Sequence, residues 1–214
     1  MNIDKIVIRA AKEIHEGPVV NLGIGLPTKI LEHIDSDMDV FFHSENGLLG
    51  AKNRSNSEPA DPELIDAGGR YITTRSGASF FDSSVSFAMI RRGKIDLSIM
   101  GAFEVDQKGN LANWKIPGYF SPGIGGAMEL AQKTPRVVIL CTHNDKHGNC
   151  KVLKQCKLPL TAKHCVSRII TDKAVMDVTE QGLLVIEIAD GLSQQDLINQ
   201  TDAELIFAAQ VGSF

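Results

Sequence analysis

Met38-Asp39-Val40-Phe41-Phe42-His43-Ser44-Glu45-Asn46-Gly47-Leu48-Leu49-Gly50 is an apolar run that leads into a carboxylate and then a glycine-broken turn. Residues 38–43 read as a strand, and Gly47 and Gly50 end it. A carboxylate just past the carboxyl end of a strand is where an α/β protein holds a reactive group against a ligand. The residues alone leave three roles open for Glu45. It is a nucleophile toward an activated acyl group, an acid–base group tuned by burial, or a turn residue that accepts hydrogen bonds from the N–H groups of Asn46 and Gly47.

Outward from this stretch, strands and helices alternate. A helix is expected over 3–16, where apolar and charged positions alternate at helical spacing. A strand at 19–22 follows, and then a helix opened by Pro27 and running to about His33, since proline at the first helical position loses no needed N–H. Residues 50–70 contain Pro59 and Pro62 and read as a long loop with one short helix at 62–66. Strands at 71–74 and 97–100 bracket a helix at 83–90, with Asp82 and Ser83 as capping residues. Residues 110–114 read as a strand after the turn 106–109, and residues 126–132 as a helix. Arg136–Cys141 is an almost unbroken apolar, β-branched run, as expected for a strand buried on both faces. A helix over 162–170, strands at 175–178 and 183–187, and a helix capped by Ser193 and Asp196 complete the reading. Such alternation predicts a layered α/β fold in one domain over residues 1–214.

Composition narrows the function. Twenty-two Lys and Arg against 26 Asp and Glu give a formal charge of −4, a poor match to a phosphate backbone. Aromatic residues are 6% of the chain and no basic stripe interleaves with them, so nucleic acid is not an expected partner. No apolar stretch approaches the ~18 residues needed to span a bilayer, so no membrane partner is expected, and the opening residues resemble a core-packed helix more than a targeting peptide. The expectation is a cytoplasmic protein whose Cys141, Cys150, Cys156 and Cys165 are reduced thiols.

Two glycine clusters flank the chemistry. Asn21-Leu22-Gly23-Ile24-Gly25-Leu26-Pro27-Thr28 lacks the third glycine of a dinucleotide fingerprint and the Lys-Ser/Thr of a P-loop. What remains is a strand–turn–helix unit whose N–H groups can face an anion or a developing oxyanion. Asn21 either orients a neighbouring carboxylate or caps the turn. Gly123, Gly125 and Gly126 allow close approach of a ligand or a tight crossover of the chain.

The block 43–50 resembles the active-site signature of family I coenzyme A transferases of the 3-oxoacid and short-chain fatty-acid type, and the chain is similar to their beta subunit. Asn21–Thr28, Gly77–Asp82 with Ser86–Ile90, Gly109–Trp114 with Gly125–Leu130, and Lys157–Thr161 match in order. The resemblance implies an open three-layer α/β fold shared with sugar-phosphate isomerase-like proteins. It makes Glu45 the nucleophile that becomes a glutamyl–CoA thioester, with Asn21 beside it. It puts Gly23, Gly25, Asn46, Gly47, Gly125 and Gly126 against the bound CoA. Coenzyme A is then substrate and covalent intermediate in a ping-pong exchange, with no tightly bound cofactor and no metal. An alpha subunit supplies the rest of the site in a heterotetramer or larger assembly, and the other partners are an acyl-CoA and a carboxylic acid.

Departures from the family pattern fall at Lys52, Arg92 and Tyr119, expected near the pocket or its rim. Lys52, Arg54 and Arg92 either meet CoA phosphates or are solvated surface charge. Acyl-CoA hydrolysis by the same glutamate, a non-catalytic CoA-binding protein and a sugar-phosphate isomerase are the competing functions. Cys141, His143, His147 and Cys150 carry zinc-ligand chemistry, but an apparently buried strand end and a polar turn favour a structural reading. His164 and Cys165 are expected to pack in the helix at 162–170.

Overall fold

The structure, a computed structural model, describes residues 3–54, 59–121 and 123–214. In chain order the helices are α1 (Ile3–Ala11), α2 (Ser83–Arg91), α3 (Ala127–Lys133) and α4 (Gln194–Asn199), with a 3₁₀ helix at Leu26–His33. The strands are β1 (Val19–Leu22), β2 (Phe41–Ser44), β3 (Leu48–Lys52), β4 (Thr73–Phe80), β5 (Leu97–Met100), β6 (Glu104–Asp106) and β7 (Leu111–Ala112). They continue with β8 (Arg136–Leu140), β9 (Val152–Leu153), β10 (Arg168–Ile170), β11 (Ala174–Thr179), β12 (Gly182–Ile188) and β13 (Leu205–Ser213). Among the described residues, ten strands form one sheet in the order β13-β12-β11-β10-β8-β5-β1-β2-β3-β4, and β7-β6-β9 form a small second sheet.

The middle of the large sheet, β10-β8-β5-β1-β2, is parallel. Antiparallel pairs extend it on both sides. Alternation along β8 defines the layers: Val137 and Ile139 face one core, Val138 and Leu140 the other. The first core packs against α2, α3, α4 and the small sheet through Ile90, Leu130, Leu197 and Val105. The second packs against α1 and the 3₁₀ helix through Ile6, Val7, Ala10 and Ile30. The result is the expected three-layer α/β fold with a largely parallel sheet, and no described helix is long and apolar enough to cross a membrane.

β1 and β5 have the expected bounds, because both are buried apolar segments with local stops. The α2 and α4 starts also agree: Asp82 Oδ1 accepts from Ser84 N at 2.8 Å and Val85 N at 3.1 Å, and Ser193 with Asp196 forms a capping box. Helix α1 stops short of residue 16. Its last turn tightens, with Glu13 N bonded to Ala10 O at 3.0 Å, and the Glu13 side chain turns inward to Arg9, Arg136 and Arg168. The strand expected at 38–43 begins only at Phe41, and the one at 71–74 is the longer β4.

Two expected helices are absent. Residues 62–66 form a turn, with Ile65 bridged to Tyr71 and Asp66 Oδ1 accepting from the N–H groups of Gly68 and Arg70 at 2.8 and 2.9 Å. Residues 162–170 are not a helix, so His164 and Cys165 do not pack in one. Ala162 bridges Leu111, His164 has φ 49°, Cys165 and Val166 both donate to Gly109 O, and Arg168–Ile170 is β10. Val166, Ile169 and Ile170 sit at helical spacing, but their β-branched side chains fill a strand and its approach. Strands β3, β6, β9 and β13 were not expected at all.

Candidate functional site

Backbone register builds the site. Strands β1 and β2 are parallel neighbours with Asn21 opposite His43, so both side chains lie near the carboxyl ends. Glu45 is the first residue after β2. Gly47 N bonds back to Ser44 O at 3.0 Å, which makes 44–47 a tight turn with Glu45 at its first central position. The turn demands glycine at 47. Its φ is 118°, and a Cβ there would lie 1.8 Å from Phe81 O. Phe81 N in turn donates to Gly47 O at 2.9 Å, so the hairpin tip rests directly on the backbone that enters α2.

The Glu45 carboxylate is held from two sides. Asn21 Nδ2 donates to Oε2 at 3.4 Å, while a Cβ on Gly126 would lie 3.4 Å from Oε1. A side chain at 126 would stand in contact with the carboxylate and press on the Phe87 ring at 3.2 Å, so glycine keeps that side of Glu45 clear. Asn21 is 1% exposed, and its Nδ2 also donates to His43 O at 3.2 Å and lies 3.3 Å from His43 Nδ1. Two fixed acceptors around one atom, His43 O and the Glu45 carboxylate, assign that atom as the amide nitrogen. Asn21 Oδ1 is buried and has no hydrogen-bond partner among the described residues.

His43 is 3% exposed, and burial pushes its pKa down to about 4, so the ring is neutral near neutral pH. Facing the Asn21 amide, Nδ1 is the bare acceptor, and Nε2 therefore carries the proton. That proton is donated to Ser86 Oγ on α2, 2.8 Å away and fully buried. Sequence reasoning gave neither His43 nor Ser86 a role. The available signal was a serine inside the apolar stretch Val85-Ser86-Phe87-Ala88-Met89-Ile90.

The remaining residues divide by their surroundings. Asn46 is exposed, and its Nδ2 donates to Ile65 O at 2.9 Å; Ala67 N donates to Ser44 Oγ at 2.9 Å. Both bonds clamp the segment after Leu64 over the turn. Gly23 sits tightly against β5, donating to Ile99 O at 2.8 Å. Gly25 and Gly125 have positive φ and nothing within 4 Å of an added Cβ, so the approach is open on their side. Between Leu22, His43, Glu45 and Ala67 lies a small void of about 30 Å³, enough to hold water. Ile24 (68% exposed), Phe80 (66%), Val85 and Met128 are apolar and exposed, each one or two residues from a group named above.

Two departures from the family pattern lie away from Glu45, contrary to expectation. Lys52 ends β3, which runs antiparallel to β2, so it is at the opposite end of the hairpin and donates to Ser36 O at 3.4 Å. Arg92 caps the carboxyl end of α2, at the far end of that helix from the Asp82 cap beside the Gly47 turn. In the Cys–His cluster, His143 is fully buried, with Nδ1 3.0 Å from Thr171 Oγ1 and Nε2 2.9 Å from Thr201 Oγ1, while His147 is exposed. Among the described residues no group of three or more His, Cys, Asp or Glu is placed to hold a metal. All four cysteines are free thiols.

A ten-stranded sheet, parallel at its centre and covered by helices on both faces, makes this an α/β protein with the Glu45 carboxylate just past the carboxyl end of β2. Residues 3–200 match the family described as coenzyme A transferase, and the chain belongs to that family of CoA-transferase enzymes. It is 45% identical over 202 residues to the beta subunit of a probable coenzyme A transferase of Bacillus subtilis (strain 168), covering 94% of this chain and 93% of that one. It is 39% identical over 209 residues to the beta subunit of the acetate CoA-transferase of Escherichia coli (strain K12), covering 98% and 95%. A subunit of the succinyl-CoA:3-ketoacid coenzyme A transferase of Helicobacter pylori (strain ATCC 700392 / 26695) is 46% identical over 201 residues, covering 94% and 97%. Among solved structures, the acyl-CoA transferase YdiF apoenzyme of Escherichia coli O157:H7 shares the fold, with a TM-score of 0.78 at 22% identity. That comparison covers 98% of this chain but only 42% of the longer YdiF chain.

Proposed function

We propose that this chain is the beta-type half of a two-subunit enzyme that moves CoA between an acyl-CoA and a short-chain carboxylic or 3-oxo acid, with Glu45 as covalent carrier. The observation that carries the reading is the seat of the Glu45 carboxylate, with Oε2 on the Asn21 amide and Oε1 against the bare backbone of Gly126. Glu45 attacks the acyl carbon of the donor; the C–S bond breaks, CoA leaves as thiolate, and an acyl-glutamyl anhydride remains. The thiolate then adds to the Glu45 carbonyl carbon. The anhydride C–O bond breaks, the donor acid departs as carboxylate, and a glutamyl–CoA thioester remains. An acceptor carboxylate runs the two steps in reverse and leaves as the new acyl-CoA.

Asn21 supplies an N–H aimed at a Glu45 oxygen, where negative charge develops when the thiolate adds. Gly23, Gly25, Asn46, Gly47, Gly125 and Gly126 form the wall along which CoA lies. Gly25 and Gly125 give the open approach, and Gly47 and Gly126 give the close fit. The small void beside Glu45, about 30 Å³, is too small for an acyl chain or a pantetheine arm. The larger pocket therefore forms with an alpha-type partner over the exposed Ile24, Phe80, Val85 and Met128. That the relatives are named as beta subunits supports such a partner. We place the complex in the cytoplasm as a heterotetramer or larger, with residues 1–214 of this chain as one domain.

The test uses the purified two-subunit complex. Incubated with acyl-CoA, it gains a CoA-sized mass on the peptide containing Glu45; Glu45→Ala abolishes exchange and Glu45→Gln leaves little. Exchange also requires an acceptor acid, which separates it from hydrolysis. Activity that survives Glu45→Ala, or an adduct on another residue, overturns the proposal.

A further inference from the structure

We infer that His43 and Ser86 are positioning residues for the Glu45 reaction, acting through the Asn21 amide. The inference rests on the reading of Glu45 as nucleophile. A continuous buried chain of hydrogen bonds runs from helix α2 to the carboxylate: Ser86 Oγ to His43 Nε2 at 2.8 Å, His43 Nδ1 to Asn21 Nδ2 at 3.3 Å, and Asn21 Nδ2 to Glu45 Oε2 at 3.4 Å. Every member before Glu45 is at least nine-tenths buried, so water cannot replace a lost partner cheaply.

The amide of Asn21 has two orientations, and only one serves the carboxylate. A bare His43 Nδ1 attracts the NH₂ group and thereby turns it toward Glu45. If Nδ1 carried the proton instead, it would attract Asn21 Oδ1, and the flip would set that oxygen against the Glu45 carboxylate. Asn21 Oδ1 has no partner among the described residues to oppose such a flip, so its orientation depends on what stands on the NH₂ side. Ser86 stabilises the serviceable tautomer by accepting the Nε2 proton. Without its hydroxyl, the Nε2–H is left buried and unpaired, and the preference for the serviceable tautomer is weakened to what the Asn21 amide alone supplies. Ser86 reaches Glu45 only through His43 and Asn21, which makes it a remote but specific lever.

Three variants of the two-subunit complex test this by the rate of CoA-adduct formation on Glu45, with kcat and the KM for acyl-CoA. His43→Leu lowers the adduct rate and kcat about 10- to 100-fold, the scale of a misplaced reacting group, with a much smaller change in KM. His43→Gln recovers most of the rate, because an amide carries an acceptor and a donor one carbon apart, as Nδ1 and Nε2 are. Ser86→Ala is slowed in the wild-type background and adds nothing in the His43→Leu background, the signature of two residues acting on one pathway. If the adduct of the wild-type complex is not on Glu45, the nucleophile reading fails and this inference with it. If it is on Glu45 but Ser86→Ala and His43→Leu acquire it at the wild-type rate, or if their losses are additive, the positioning role alone is overturned. Ser86→Ala removes one oxygen and carries the test should His43→Leu fail to fold.

Discussion

Gly47 and Gly126 both lack a side chain near Glu45, for different physical reasons. At Gly47 the conflict is with backbone: φ is 118° and an added Cβ would lie 1.8 Å from Phe81 O. A carbonyl in a bonded turn cannot move aside as a side chain can. Gly47→Ala is therefore expected to cost about 2 kcal/mol or more and to lower the denaturation midpoint as well as activity. At Gly126 the backbone is ordinary helical, φ −75°, and the added Cβ would meet the Glu45 carboxylate at 3.4 Å and Phe87 Cζ at 3.2 Å. Gly126→Ala should keep the stability of the parent while crowding the carboxylate and slowing exchange. Equal midpoints with unequal rates are the expected measurement; a Gly126→Ala complex of full activity would remove Gly126 from the site.

Whether an element was legible in the sequence depended on whether its cause was local. β1 and β5 were readable because each is a short apolar segment with its own stop, and α2 and α4 because Asp82 and Ser193 supply caps within four residues. β3 and β13 were not, since they are strands only by virtue of pairing with β2 and β4, and with β12. That Asn21 stands beside Glu45 was legible in the sequence, and their side chains meet at 3.4 Å, but the His43–Ser86 link was not, because it joins a strand to a helix 43 residues away. The early end of α1 has the same non-local origin. Burial alone pushes the Glu13 carboxyl up, but hydrogen bonding from Arg9 and the charges of Arg168 and Arg136 outweigh it and hold the pKa below the usual value. Glu13 thus ties α1 to β8 and β10, and Arg9 continues the tie to Glu187 of β12 at 2.6 Å. Glu13→Gln removes the shared counter-charge of three arginines. A loss of about 3 kcal/mol is expected, at the low end for a broken buried pair because Arg136 and Arg168 keep some hydration. Chemical denaturation would report it, and an unchanged midpoint would show the network to be ornamental.

At the scale of the whole molecule, two buried imidazoles tie stability to pH. His43 and His143 are both depressed to about 4 from an ordinary 6.5, His143 by burial and then by the nearby Lys173 charge. The unfolded chain binds protons at these rings below pH 6.5, whereas the folded chain does so only near 4. Their contribution is fully present above the unfolded value and is lost as pH falls through that window, on the order of 3 kcal/mol for each ring. Urea midpoints should fall between pH 7 and pH 5, before carboxylates protonate in bulk. His143→Gln should flatten that slope without touching the residues around Glu45. A midpoint that is constant over the window would mean that neither ring is held neutral by the fold.

The pairing of Asn21 with His43 has a consequence for how such an enzyme diversifies. The register of Asn21 against His43 is measured out by a ladder of backbone hydrogen bonds between two central strands, and the single tight turn 44–47 carries that register on to the Glu45 carboxylate. The segment after Leu64, by contrast, is fastened over the turn, among the described residues, by the bonds to Ser44 and Asn46. Descendants can rewrite that segment, and whatever chain closes over the open side, without resetting the ruler. On the proposed mechanism, the covalent step is then inherited intact while the choice of acid drifts.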